Sequence, residues 1–182
     1  MTDAELIGKI VQRERDAFDL FYERYAQIIF NLCVRILKDE AESEDVMQEI
    51  FVQIWKEAQR FDASRASVKT WLFTIARSRS LDRYRSRKTV QSRMEPTPEE
   101  ELQNVSNEAD PQANSVMQQY VGNALNRLSK EQRLVLELSY YEGLTQEEIA
   151  GRLKEPLGTI KSRIRAALIK LRSLIAGDKT NV

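Results

Sequence analysis

An all-α chain, built as two small helical domains joined by a flexible acidic linker, is the fold class this sequence predicts, and three observations predict it. Glycine and proline are scarce, 6 and 4 among 182 residues, so few positions interrupt a helix. Large apolar residues recur at spacings of three and four, the period of a helix face, and no stretch alternates in twos as a half-buried strand does. One stretch breaks the pattern: "MEPTPEEELQNVSNEADPQA" holds Pro96, Pro98 and Pro111, six acidic residues, no basic ones and few large apolar side chains, the composition of a linker. The expected division is therefore a first domain over 1–92, a linker over 93–114 and a second domain over 115–182.

In the first domain, Phe18, Phe21, Tyr25, Ile29, Leu32 and Ile36 form one stripe, and Val46, Ile50, Ile54 and Ala58 form another. Two amphipathic helices packed face to face follow from this spacing, separated by the acidic connection "KDEAESED". A third helix starts near Ser67 with Val68, Trp71, Leu72 and Ile75 inward. It then turns basic, with Arg77, Arg79, Arg83, Arg85, Arg87 and Lys88 against Asp82 alone.

Past the linker, apolar spacing resumes at Val116, Tyr120, Ala124 and Leu128. Ser129 with Gln132 is a capping-box pattern that opens a helix through Val135, Leu138 and Tyr141, which Gly143 ends. Thr145 with Glu148 repeats the signature and opens a short helix through Ile149, Ala150 and Leu153, after which Pro156 and Gly158 supply a turn. The second domain thus reads as four helices, the last two joined tightly.

Composition excludes several functions. Lys and Arg total 28, as do Asp and Glu, so any electrostatic role must come from segregated charge. With no histidine and one cysteine, zinc constellations, internal disulfides and His-dependent triads are ruled out, and no metal site or cofactor is expected. Cys33, inside "IIFNLCVRIL", reads as a buried core thiol. No nucleophile–base pair or phosphate-binding glycine loop is present, so neither an enzyme nor a small-molecule substrate is expected. The start "MTDAELIGKI" lacks the pattern of a secretory signal and no apolar run could span a bilayer, which points to a cytoplasmic protein without membrane insertion.

A short helix, a tight turn and a second helix is the helix-turn-helix arrangement, whose second helix lies in the major groove. On a helical wheel Ile160, Ile164, Ala167, Leu168, Leu171 and Ile175 fall on one side for burial. Thr159, Ser162, Ala166 and Ile169 fall opposite, flanked by Arg163 and Arg165, while Lys161, Arg165 and Arg172 align along one ridge suited to a phosphate strand. The helix start at Thr159 offers backbone N–H groups to a further phosphate. A solvated basic face on a bundle helix fits the charges alone. The capped helix and the Pro-Leu-Gly turn before it favour DNA binding.

The basic segment of the first domain mixes its arginines with Trp71, Phe73, Ser78, Ser80 and Tyr84, a combination that holds single-stranded nucleic acid through backbone cations and stacked bases. Trp71, Ser78 and Asp82 lie along one line of the wheel, able to receive an unstacked base. A core tryptophan beside solvated arginines fits this segment equally. A third surface is the outer face carrying Glu44, Asp45, Gln48, Glu49 and Gln53, which fits either a solubility device or a protein-docking helix.

Four blocks, taken in order, resemble an extracytoplasmic-function sigma factor of bacterial RNA polymerase, a group of the sigma-70 family. "AFDLFYERYAQIIFNLCVRIL", "DVMQEIFVQIWKEAQRFD" and "VKTWLFTIARSRSLDRYR" are similar to its sigma-two domain, and "LNRLSKEQRLVLELSYYEGLTQEEIAGRLKEPLGTIKSRIRAALIKLR" to its sigma-four domain. The resemblance implies that Asp45, Gln48 and Glu49 dock onto the coiled coil of the largest subunit of core RNA polymerase. It implies that the loop from Phe61 to Ser67, including Ser64 and Arg65, captures a flipped minus-ten base with Trp71, Ser78 and Asp82 nearby, while Arg77, Arg79, Arg83 and Arg85 hold the strand backbone. Thr159, Lys161, Ser162, Arg163 and Arg165 would read the minus-thirty-five element in duplex promoter DNA, and the linker would thread the polymerase's RNA path. An anti-sigma factor is implied as a further partner. Two positions depart from the common pattern: Ser78 stands where many members have Asn, and Ala166 where many have a basic residue. An autonomous DNA-binding regulator, needing only the helix-turn-helix, is the alternative.

Overall fold

The structure, a computed structural model, describes residues 1–94 and 124–177, with side chains over 1–89 and 124–174. The chain divides into two compact units, Met1–Thr97 and Pro98–Val182. Among the described residues every regular element is helical. The expected linker lies almost wholly outside them, as do Val116 and Tyr120.

The first unit contains α1 (Asp3–Val11), α2 (Arg15–Leu37), α3 (Glu40–Glu57), a single 3-10 turn at Ala58–Arg60, and α4 (Val68–Met94). The core is closed by Phe21, Tyr25, Ile29 and Ile36 from α2, Val46, Ile50 and Ile54 from α3, and Val68, Leu72 and Ala76 from α4, all 5% exposed or less. Phe18, expected among them, is only half-buried, as are Trp71 and Ile75. Cys33 is fully buried as expected, and burial pushes its thiol above the ordinary range.

Two features differ from expectation. Helix α1 adds Leu6, Ile7 and Ile10 to the core, and its start is a full capping box between Thr2 and Glu5. The half-buried Asp3 carboxylate ties it down, accepting from Tyr25 Oη at 2.6 Å and pairing with Arg24 at 2.5 Å. The acidic connection is not a loop. Lys38 turns the chain in the left-handed region, Asp39 caps α3 by accepting from the Glu42 N–H, and Glu40 and Glu42 occupy the first helical turn. Acidic residues there complement the helix dipole, so the charges that suggested a connection favour the helix.

In the second unit residues 124–126 are helical and are followed by α5 (Lys130–Tyr140), α6 (Gln146–Leu153) and α7 (Leu157–Gly177). Both expected capping boxes form, at Ser129 with Gln132 and at Thr145 with Glu148. Val135, Leu138, Ile149, Ile160 and Ile164 make the core, with Leu134, Leu136, Leu144, Ala150 and Leu153 packed around it. Gly143, at φ 65°, makes the turn out of α5.

Candidate nucleic-acid interface

In the second unit the reversal between α6 and α7 is made by Lys154, at φ 54°, rather than by glycine. Glu155 N–H donates to Ala150 O at 3.1 Å, and Pro156 O accepts from both Thr159 and Ile160. Helix α7 therefore starts at Leu157, so Gly158 lies inside its first turn. The Thr159 N–H is already committed to Pro156 O at 2.9 Å, and the amides at the helix N-terminus are those of Leu157 and Gly158. A side chain added at Gly158 would meet nothing within 4 Å.

The inward face of α7 holds Ile160, Ile164 and Ala167, with Leu171 half-buried. Leu168 departs from expectation at 54% exposure, because it lies about 80° round the helix from Ile160 and past the end of the core formed with α5 and α6. Lys161, Ser162, Arg165 and Ala166 are exposed and Thr159 is half-buried. The Ser162 hydroxyl donates back to Thr159 O at 3.0 Å. Arg163 is placed differently from its neighbours: it is half-buried and engages both carboxylate oxygens of Glu155, at 3.0 and 2.8 Å.

In the first unit, the loop after the 3-10 turn is held from within. Asp62 accepts from the Ser64 N–H at 2.9 Å and the Ser64 hydroxyl at 2.7 Å, contacts that lower its carboxyl below the usual range. Ser67 caps α4 through the Thr70 N–H. The Phe61 ring lies 5.5 Å from that of Trp71, joining the loop to α4. Along α4, Ser78 and Asp82 are exposed, one turn apart on the line through Trp71, and Ser64 and Arg65 are exposed on the loop. Of the residues expected to capture a base, the structure brings Phe61 against Trp71. Ser80 does not belong to that surface: it is fully buried, its hydroxyl shared between Ala76 O at 2.8 Å and Cys33 Sγ at 3.4 Å.

The outer face of α3 presents Glu44, Asp45, Gln48 and Glu49 to solvent, beside Val52 at 50% exposure. This face also meets α4 in a ladder that the sequence reading missed. Arg79 Nε donates to Gln53 at 2.8 Å, Arg83 to Glu49 at 2.7 Å and Arg87 to Glu42 at 3.2 Å. Arg87 also donates to Leu37 O at 2.9 Å, at the end of α2. Arginines at every fourth position share one face of a helix, so an antiparallel neighbour with acceptors one and then two turns apart, at Gln53, Glu49 and Glu42, meets all of them. Arg79 and Arg83, expected to hold a DNA strand, are therefore partnered with the face expected to dock onto polymerase. Arg77 and Arg85 lie outside this ladder, Arg85 exposed and Arg77 half-buried.

Comparison with known proteins places both regions of the chain in one family. Residues 21–90 match the model of Sigma-70 region 2 and residues 124–173 that of Sigma-70, region 4. An ECF RNA polymerase sigma factor SigK from Mycobacterium ulcerans is 36% identical over 174 residues, covering 93% of this chain and 91% of that protein. The SigK of Mycolicibacterium vanbaalenii is 33% identical, covering 93% and 87%. Among solved structures, Rhodobacter sphaeroides SigE in complex with the anti-sigma ChrR matches at 33% identity and a TM-score of 0.49, covering 93% of this chain and 96% of that one. With both regions matched in order and more than nine-tenths of the chain covered, this protein belongs to the extracytoplasmic-function (ECF) group of the sigma-70 family of RNA polymerase sigma factors.

Proposed function

We propose that this chain is the promoter-specificity subunit of a bacterial RNA polymerase, acting in the cytoplasm without catalysis of its own. The polymerase supplies the chemistry; the sigma subunit supplies docking, duplex recognition and strand capture. The observation that carries this reading is the presence in one chain of both matched regions, in order. Membership of a family of initiation factors supports the non-enzymatic assignment. Among the described residues no helix is long and apolar enough to cross a membrane.

The proposed division of labour follows the chain. Residues 1–92 dock onto core polymerase through Asp45, Gln48 and Glu49, and capture the melted minus-ten strand. In that strand site, Phe61, Ser64, Arg65, Trp71, Ser78 and Asp82 surround the base, and Arg77, Arg79, Arg83 and Arg85 serve its backbone. The linker over 93–114 follows the RNA path. Residues 115–182 carry the minus-thirty-five reader, with Thr159, Lys161, Ser162, Arg163 and Arg165 on or beside the groove face of α7. An anti-sigma factor that covers these surfaces is the proposed regulator, resting on family membership.

Titration of the labelled full chain into core RNA polymerase, with the principal sigma factor as competitor, tests the reading. Saturable binding that the competitor displaces is expected. If no binding appears where the principal sigma binds, the docking assignment fails and an autonomous regulator takes its place.

A further inference from the structure

The placement of Arg163 sets it apart from the other cations of α7. At about 100° per residue it lies roughly 40° from the buried Ala167, on the margin of the helix away from the ridge of Lys161, Arg165 and Arg172. Its side chain is 20% exposed and that of Glu155 33%. The two planar groups meet in parallel, Nη1 on Oε1 and Nη2 on Oε2, the fork-to-fork geometry that fixes orientation as well as distance. Glu155 belongs to the turn, and its backbone is itself fastened to α6 through Ala150 O. A second observation points the same way. The Glu131 carboxyl at the start of α5 is lowered chiefly by its bond with Ser129, and the Arg163 charge adds to that effect. The guanidinium thus lies against Glu155 of the turn, with the charge of Glu131 on α5 within its electrostatic reach.

We propose that Arg163 is a positioning residue rather than a DNA-reading one: its two-pronged pair with Glu155 clamps the turn of the helix-turn-helix to α7 and sets the angle at which Lys161, Ser162 and Arg165 meet the groove. This rests on the assignment of α7 as the minus-thirty-five reader. The consequence reverses an ordinary electrostatic expectation. Removing a carboxylate from a DNA-binding surface strengthens attraction to a polyanion. Here Glu155 holds the reading helix in place, so removing it weakens specific binding.

The test uses holoenzyme assembled from core polymerase and the full chain. Closed-complex affinity is measured on a cognate promoter, and on the same duplex with its minus-thirty-five element scrambled, across a salt series. Glu155→Ala and Arg163→Ala are each expected to lower discrimination between the two duplexes by about tenfold, with the salt slope unchanged because no phosphate contact is lost. Lys161→Ala, a margin cation, is expected to reduce the slope by about one unit. Arg163→Lys keeps the charge but not the fork, and should lose discrimination with its fold intact by far-UV circular dichroism. This variant decides the matter if either alanine variant fails to fold.

A tighter or unchanged complex with Glu155→Ala, or a shallower salt slope with Arg163→Ala, overturns the proposal and returns Arg163 to the DNA contacts. Full discrimination retained by Arg163→Lys overturns it as well. If Lys161→Ala and Arg165→Ala also leave promoter binding untouched, the assignment of α7 itself falls, and the positioning role falls with it.

Discussion

Arg87→Ala is expected to destabilise the first unit by about 2 kcal/mol, a cost assembled from two contacts. The guanidinium reaches from α4 to the junction of α2 and α3, where it donates to Leu37 O at 2.9 Å and pairs with Glu42 at 3.2 Å. The carbonyl lies in the last turn of α2, where a cation is favoured by the helix dipole and a charged hydrogen bond contributes about 1.5–3 kcal/mol. Both side chains of the ion pair are about a third exposed, at 31% and 30%. Solvent screening therefore holds the ion pair near 0.5 kcal/mol, and the carbonyl bond near the low end of its range, about 1.5 kcal/mol. The chain has two tryptophans, Trp55 and Trp71, both in the first unit, so tryptophan fluorescence, excited at the red edge where tyrosine does not absorb, reports that unit alone during urea unfolding of the full chain. The midpoint should fall without a change of slope. Glu42→Ala, which spares the carbonyl contact, should lose only about 0.5 kcal/mol. Equal losses in the two variants would refute the reasoning, since Arg87 would then not secure the end of α2.

Other outcomes are expected on the same physical grounds. Gly8→Ala should stabilise the first unit by about 0.5–1 kcal/mol, read from the same fluorescence transition, because Gly8 lies within α1 and an added Cβ meets nothing within 4 Å. Asp62→Ala should slow promoter opening while leaving closed-complex affinity intact, and Asp62→Asn, which keeps an acceptor for Ser64, should restore it; permanganate reactivity of melted thymines separates the two steps. Stability should decline as pH rises above about 9, because native Cys33 and Tyr25 keep protons that the unfolded chain sheds from their ordinary values of 9.0 and 10.0. At the acid end, burial alone would raise Asp3, but its bonds from Tyr25 and Arg24 outweigh that and hold it low. Its contribution is present above 3.8 and lost as pH falls through the lower folded value, which urea midpoints across pH will record.

The helical class and most of the core were legible because period and capping are local properties. Ser129 with Gln132 and Thr145 with Glu148 announced α5 and α6 within four residues of sequence each. The same signature at Thr2 and Glu5, followed by Leu6, Ile7 and Ile10, announces α1 and was passed over in the sequence reading. Acidic residues misled at 38–45 because charge composition suits a surface loop and the first turn of a helix alike. The turn before α7 is expected from Pro156 and Gly158, yet the residue that takes the left-handed conformation is Lys154, a type that carries no turn signal in sequence. The pairing of Arg79, Arg83 and Arg87 was out of reach for a different reason. It depends on the register of α4 against α3, which joins residues 26 to 45 positions apart. Arg163 lies between these cases: the wheel put it on the flank of the groove face, but its partner appears only when the turn is folded.

Redesigning the promoter preference of such a subunit invites the exchange of α4 with that of a relative. The ladder to α3 makes α4 alone a poor module for exchange. An imported helix with other side chains at 79, 83 and 87 would leave Gln53, Glu49 and Glu42 facing the wrong chemistry, and the graft would lose its seating before its DNA preference could be judged. A splice at Lys38, carrying α3 and α4 together, transfers all three side-chain rungs intact. The ladder contact that crosses such a splice runs from Arg87 to the carbonyl of Leu37, and every recipient chain has a carbonyl to offer there.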